Sequence, residues 1–177
     1  MDSNVRAVMD VVKGIGRPDF STSENYNLFC KQANVLWHAA GGLNSASVDF
    51  VREREGLLSS SDQVIKTSWG GVHITSHKHP HVEKYLIVDS GKYLAFEMHE
   101  EKTETLSHVA GDGILVMRNM NSYDLEAIPV TEDFSITLLP GQEHCLISLN
   151  NLLVFERSTD PKGMDQDLIF IHCPTSD

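Results

Sequence analysis

The stretch Gly71-Val-His-Ile-Thr-Ser-His77-Lys-His79-Pro-His81-Val-Glu83-Lys-Tyr85 gathers side chains able to hold a metal or move a proton. Residues two apart on an extended segment project from the same face, so His77 and His79 aim their imidazoles at one point. Glu83 follows four residues after His79, close enough for the next strand or turn to return a carboxylate to the same locus. Far downstream, Pro140-Gly141-Gln-Glu-His144 sets an imidazole just past a turn, at the start of an apolar strand, where it can arrive from across a closed sheet. Three neutral imidazoles with one carboxylate make a mixed N/O shell suited to Fe, Mn, Ni, Co, Cu or Zn, with positions left open for a substrate. His81 shares the parity of His77 and His79, but Pro80 bends the chain beside it.

A second set of residues offers proton chemistry. Tyr85 and Ile87 continue the parity of Glu83 and so face the interior of a regular strand. Tyr85 there either donates a proton or packs as an aromatic with its hydroxyl on a backbone partner. Glu97 and His99 share a face, and of Glu156 and Arg157 one must point inward. An inward, unpaired carboxylate has a raised pKa and can transfer protons near neutral pH; a solvent-facing one does not. The run Glu97, Glu100, Glu101, Glu104 reads as a solvated acidic hairpin.

These side chains need a scaffold of strands. From Val64 onward the chain falls into short β-branched or aromatic runs divided by Gly, Asn, Asp and Pro, the pattern of an antiparallel barrel or sandwich. The runs are Val64 to Trp69, Val72 to His77, Lys84 to Val88, Tyr93 to His99, Gly113 to Met117, Ser122 to Ile128, Ser135 to Leu139, Cys145 to Leu149, Leu152 to Arg157 and Leu168 to His172. Ahead of them, Val5, Val8, Met9 and Val12 recur at helical spacing before Gly14, Gly16 and Pro18. Tyr26 to Trp37 has helical periodicity too, and Ser45 to Glu53 has the texture of a strand. We therefore expect one domain: an N-terminal extension over residues 1–60 packed on a β-barrel over 61–177.

The His and Glu spacing resembles the two short motifs of the cupin superfamily, G(X)5HXH(X)3-4E(X)6G and G(X)5PXG(X)2H(X)3N. Gly71, His77, His79 and Glu83 match the first in register, with Ser90 in place of its closing Gly. In the second, Gly141 and His144 match, Asp133 replaces the opening Gly, Pro140 is displaced by one and Ser148 replaces the Asn. The resemblance covers about residues 64 to 157. It implies a mainly β fold, the cupin double-stranded β-helix or jelly-roll barrel, holding one divalent transition metal (Fe, Zn, Mn or Ni) through His77, His79, Glu83 and His144, often in a homodimer. Expected catalytic side chains beside the metal are Tyr85, Glu97, His99 and Glu156. The implied activity is a metal-dependent enzyme acting on a small polar metabolite, with isomerase, epimerase or lyase chemistry in front. An Fe(II)-dependent dioxygenase and a non-catalytic metal- or metabolite-binding cupin are the alternatives.

Composition narrows the partners. The 177 residues carry 14 Lys and Arg against 25 Asp and Glu, a formal charge of -11 that repels phosphate backbones and anionic lipid. A nucleic-acid or membrane partner is not expected. Cys30, Cys145 and Cys173 are odd in number and widely spaced, which argues against a disulfide framework and for a reducing, cytoplasmic setting.

Overall fold

The computed structural model describes residues 3–42 and 64–175, so the strand expected at Ser45 to Glu53 lies outside the described residues. Helix α1 (Ser3–Gly14) buries Ala7, Val8 and Val11 on one face. Helix α2 (Ser23–Ala39) starts at Thr22, whose side chain accepts the Asn25 amide hydrogen and so satisfies one of the orphan donors of the first turn. Its buried face carries Tyr26, Phe29, Cys30, Ala33 and Trp37.

Nine strands follow: β1 (Val64–Thr67), β2 (Gly70–Lys78), β3 (His81–Val88), β4 (Phe96–His99), β5 (Thr103–Arg118), β6 (Leu125–Val130), β7 (Ser135–Leu138), β8 (His144–Thr159) and β9 (Leu168–His172). One path of neighbours runs β1-β2-β3-β8-β4-β9, and β5 pairs with β8 as well as with β6 and β7. The two 16-residue strands, β5 and β8, are the spine of the barrel. They pair from Thr103↔Thr159 to Met117↔His144, with register shifts around Ala110 and Asp112.

Those shifts mark a corner. Gly111 sits at φ +78, where a Cβ would lie 2.0 Å from the Asn151 carbonyl oxygen, and Asn151 opposite is itself at φ 43. The two strands bend together here, and their pairing continues on both sides of the shifts. Cys145 to Leu149 and Leu152 to Arg157 are therefore one strand rather than two: the Asn150-Asn151 pair bends β8 instead of ending it. β5 likewise begins at Thr103, well ahead of the expected Gly113, and takes in part of the acidic run.

Two apolar layers flank the spine. On the barrel's outer side, α1 and α2 pack against Tyr93, Phe96, Ile114, Val116, Cys145, Ile147 and Leu149. The inner side is filled by Leu86, Val88, Leu94, Leu106, Leu115, Val130, Leu138, Leu146, Leu152 and Val154. β8 is thus buried on both faces over most of its length, which explains why apolar residues stand at consecutive positions in Cys145-Leu-Ile147 and Leu152-Leu-Val154. Among the described residues no helix is long and apolar enough to cross a membrane.

Candidate active site in the barrel cavity

The inward face of each strand follows from period-two alternation. On β3 the inward residues are Val82, Lys84, Leu86 and Val88, all buried. Glu83 and Tyr85 therefore point outward, against the expectation that they share the interior. Glu83 accepts a hydrogen bond from Arg157 Nε at 3.0 Å on the outer surface. Tyr85 stacks on His73 and packs at a tilt against Phe155 there. A shift of one residue in the parity of a strand exchanges its whole inner and outer sets, and the apolar residues at 82, 86 and 88 decide which set is inside.

His77 and His79 are exposed, one near the end of β2, past a register shift between Ile74 and Ser76, the other in the turn before Pro80. His144 is buried and faces the barrel cavity. The structure does not bring His77, His79, Glu83 and His144 together. Among the described residues no three His, Cys, Asp or Glu side chains are placed to share a metal ion.

A different set converges inside. A cavity of about 240 Å³ has apolar walls that include Trp69, Leu86, Leu94, Leu106 and Phe170. Its polar floor is made by Lys84 from β3, Glu97 and His99 from β4, Lys102 from the β4–β5 turn, Glu104 from β5, His144 and Glu156 from β8, and Asp165 from the loop before β9. Of the catalytic candidates named from sequence, Glu97, His99 and Glu156 lie in this cavity and Tyr85 does not. Lys84, Lys102, Glu104 and Asp165 were missed.

The Lys102 ammonium is at the centre. Its Nζ lies 2.7 Å from Glu104 Oε2, 2.7 Å from Glu156 Oε1, 2.9 Å from Asp165 Oδ1 and 3.3 Å from His99 Nε2. Lys84 Nζ adds contacts to Asp165 Oδ2 at 2.6 Å and Glu156 Oε2 at 3.4 Å. An ammonium only donates, so His99 Nε2 carries a lone pair and its Nδ1–H donates to Asp167 Oδ1 at 2.7 Å. Asp167 Oδ2 also accepts the backbone amides of Glu101 and Lys102, each at 2.8 Å, which fixes the turn that aims Lys102 inward. His144 instead faces an acceptor on each side, with Nδ1 donating to the Gln142 carbonyl at 2.9 Å and Nε2 to Glu104 Oε1 at 3.0 Å. Acceptors at both ring nitrogens favour the protonated form.

The protonation pattern follows. Burial alone would lower the His144 pKa, but the hydrogen bond and charge of Glu104 raise it. Burial acts against the ammonium of Lys102, and the carboxylates of Glu156 and Glu104 outweigh it, so its pKa is raised. Burial works to raise Glu104, and Lys102 and His144 hold it well below the usual carboxylate range. Glu97 is pushed up to about 7, chiefly by burial; His144 opposes the rise and the Glu104 charge adds to it. Glu97 also keeps part of its surface open, whereas His99, Lys102, Glu104, His144 and Glu156 are buried.

A divalent metal is implied by the resemblance, and the donor chemistry here, imidazoles and carboxylates, is of the right kind. The arrangement does not fit it. His99 Nε2 lies 3.3 Å from the Lys102 ammonium, and Glu104, Glu156 and Asp165 already face ammonium groups. A divalent ion at about 3 Å from an ammonium meets a repulsion on the order of 10 kcal/mol even at an effective dielectric of about 20.

The motif spacing was legible one strand later. Gly91-(X)5-Glu97-X-His99-(X)4-Glu104-(X)6-Gly111 repeats the first pattern with both glycines in register and Glu97 in place of its first His. Asp133, in place of the second pattern's opening Gly, adopts the glycine-like φ of 68.

No protein-family model matches the chain, and no curated protein sequence matches it. Solved structures do. Capsular polysaccharide assembling protein CapF of Staphylococcus aureus superposes with a TM-score of 0.54 at 15% identity, covering 84% of this chain and 44% of that one. Oxalate decarboxylase of Bacillus subtilis gives 0.55 at 10% identity over 64% of this chain and 31% of that one. That enzyme carries Mn(II) centres. The Lactobacillus farciminis oxalate decarboxylase gives 0.51 at 14% identity over 61% and 33%. This chain spans less than half the length of each. The fold is that of the cupin-type double-stranded β-helix proteins, two helices laid on a curled antiparallel sheet.

Proposed function

We propose that the chain is an enzyme that shifts protons on a small hydroxy-carbonyl metabolite held in the barrel cavity, a reaction of the isomerase, epimerase or lyase class. The observation that carries this reading is the convergence of Glu97, His99, Lys102, Glu104, His144 and Glu156 on one cavity that is otherwise apolar. A binding site lined by a few convergent polar groups in an apolar wall is the usual form of a small-molecule pocket. At about 240 Å³ the cavity is smaller than the roughly 300 Å³ at which ligand pockets commonly begin, so the occupant is small.

Glu97 is the group assigned to the proton. It is partly open to the cavity, and a carboxyl held near neutrality can both take and return a proton at working pH. It would remove the proton from the carbon beside a carbonyl and return it to the neighbouring carbon or to the opposite face. The buried positive charge of Lys102 would offset the developing negative charge on the carbonyl oxygen through the field in the apolar cavity. Apolar walls keep bulk water from competing.

A panel of aldoses, ketoses and their phosphates, incubated with the protein in D2O and followed by NMR, tests the reading. We expect deuterium to enter the carbon beside the carbonyl of at least one compound, and Glu97→Gln to slow this by about 100-fold or more while the fold is kept. A compound that raises the melting temperature without any exchange would make the cavity a binding module instead. Unchanged turnover in Glu97→Gln would remove that residue from the chemistry.

A further inference from the structure

We propose that the Lys102 ammonium is the barrel's own resident cation, held among the carboxylates and the imidazole that a divalent metal would need, so that the chain balances this site with its own charge and not with a metal. This rests on the reading of the cavity as the active site. Three observations support it. The carboxylates of Glu104, Glu156 and Asp165 and the lone pair of His99 all lie within 3.3 Å of Lys102 Nζ. The residue is not a stray surface chain reaching in: it is 2% exposed, and Asp167 binds its backbone amide and that of Glu101. A second ammonium, Lys84, shares Glu156 and Asp165 with it, so the carboxylates are balanced by charge that the chain itself supplies.

An ammonium and a divalent ion can both balance buried carboxylates, but they differ in what they require. The ammonium offers hydrogens and needs only acceptors around it; the metal needs lone pairs from deprotonated imidazoles. Here three carboxylates and the His99 Nε2 atom already face the Lys102 ammonium. The side-chain arrangement is built around a hydrogen-bond donor.

Metal titration of the untagged, full-length chain decides the matter, with Mn2+ and Zn2+ as the probes. We expect the wild type to retain neither after desalting, by elemental analysis, and the His99 and His144 ring signals to stay sharp when Mn2+ is added. Lys102→Met removes the charge at similar length and should take up one equivalent of Zn2+. If that variant does not fold, the sharpness of the wild-type ring signals under Mn2+ still decides. One equivalent of metal kept by the wild type and lost in His144→Ala overturns the proposal, as does a folded Lys102→Met that binds no metal. Neither readout needs turnover, so failure here is distinct from failure of the Glu97→Gln exchange test.

Discussion

Lys84 and Glu83 are chain neighbours with opposite surroundings. Lys84 is buried between Glu156 and Asp165, while Glu83 meets Arg157 in solvent. An exposed pair of the second kind contributes about 0–1 kcal/mol, and buried charges of the first kind are tolerated only because each is matched. The same contrast sets the fate of the hairpin histidines. His77→Ala with His79→Ala is expected to change stability by less than about 0.5 kcal/mol, since both side chains are exposed. Denaturant unfolding of the double variant, beside ligand-induced melting shifts, checks this; loss of ligand response would return the site to the hairpin. Of the polar side chains that line the cavity, Glu97, His99 and Glu156 were singled out from the chain as catalytic candidates and His144 as a metal ligand. Which HXH-like stretch faces inward was not legible, because that depends on the parity of β3 and on the register shift in β2. Lys84 and Lys102 gave no signal at all, since a lysine in a strand normally reads as surface and only tertiary pairing puts it inside.

At the level of elements, the corner shared by β5 and β8 is what lets two strands line both the cavity and the helix-covered face. Its geometry depends on Gly111, whose hydrogen is opposed at contact distance by the carbonyls of Asn151 and Asn150. Gly111→Ala should cost about 2 kcal/mol or more, from strain at positive φ and from forcing the strands apart. Thermal unfolding of the variant measures it, and a shift within error would mean that the corner relaxes freely. Strand texture was readable from Val64 onward because β-branched runs and turn residues alternate there. The corner was not, because Asn-Asn and Gly are turn signals in sequence, whereas here the pairing resumes on either side of them, at Ala110↔Leu153 and Asp112↔Asn150. The spacing of Val5, Val8 and Val12 announced α1, yet nothing in that spacing names the barrel face beneath it.

Over the whole molecule, the helices and the barrel share one apolar layer rather than meeting at a polar boundary. Tyr26 donates its hydroxyl hydrogen to the Leu94 carbonyl, and Phe20 makes edge contacts with Tyr26, Phe29 and Phe96. Trp37 and Tyr26 are fully enclosed. In that layer Cys30 on α2 and Cys145 on β8 are both buried, and burial pushes the Cys30 pKa up. Cys173, by contrast, is exposed. The molecule thus carries its own clock for local opening. A thiol-reactive dye should label Cys173 at once and reach Cys30 and Cys145 at least about 100-fold more slowly, at the rate at which the helix lifts from the sheet. Mass spectrometry of pulse-labelled peptides reads the two rates, and equal labelling of all three thiols would show that the helical cover is loose. Because Cys145 adjoins His144, the same pulse, repeated with a bound metabolite, would report whether filling the cavity tightens its outer wall.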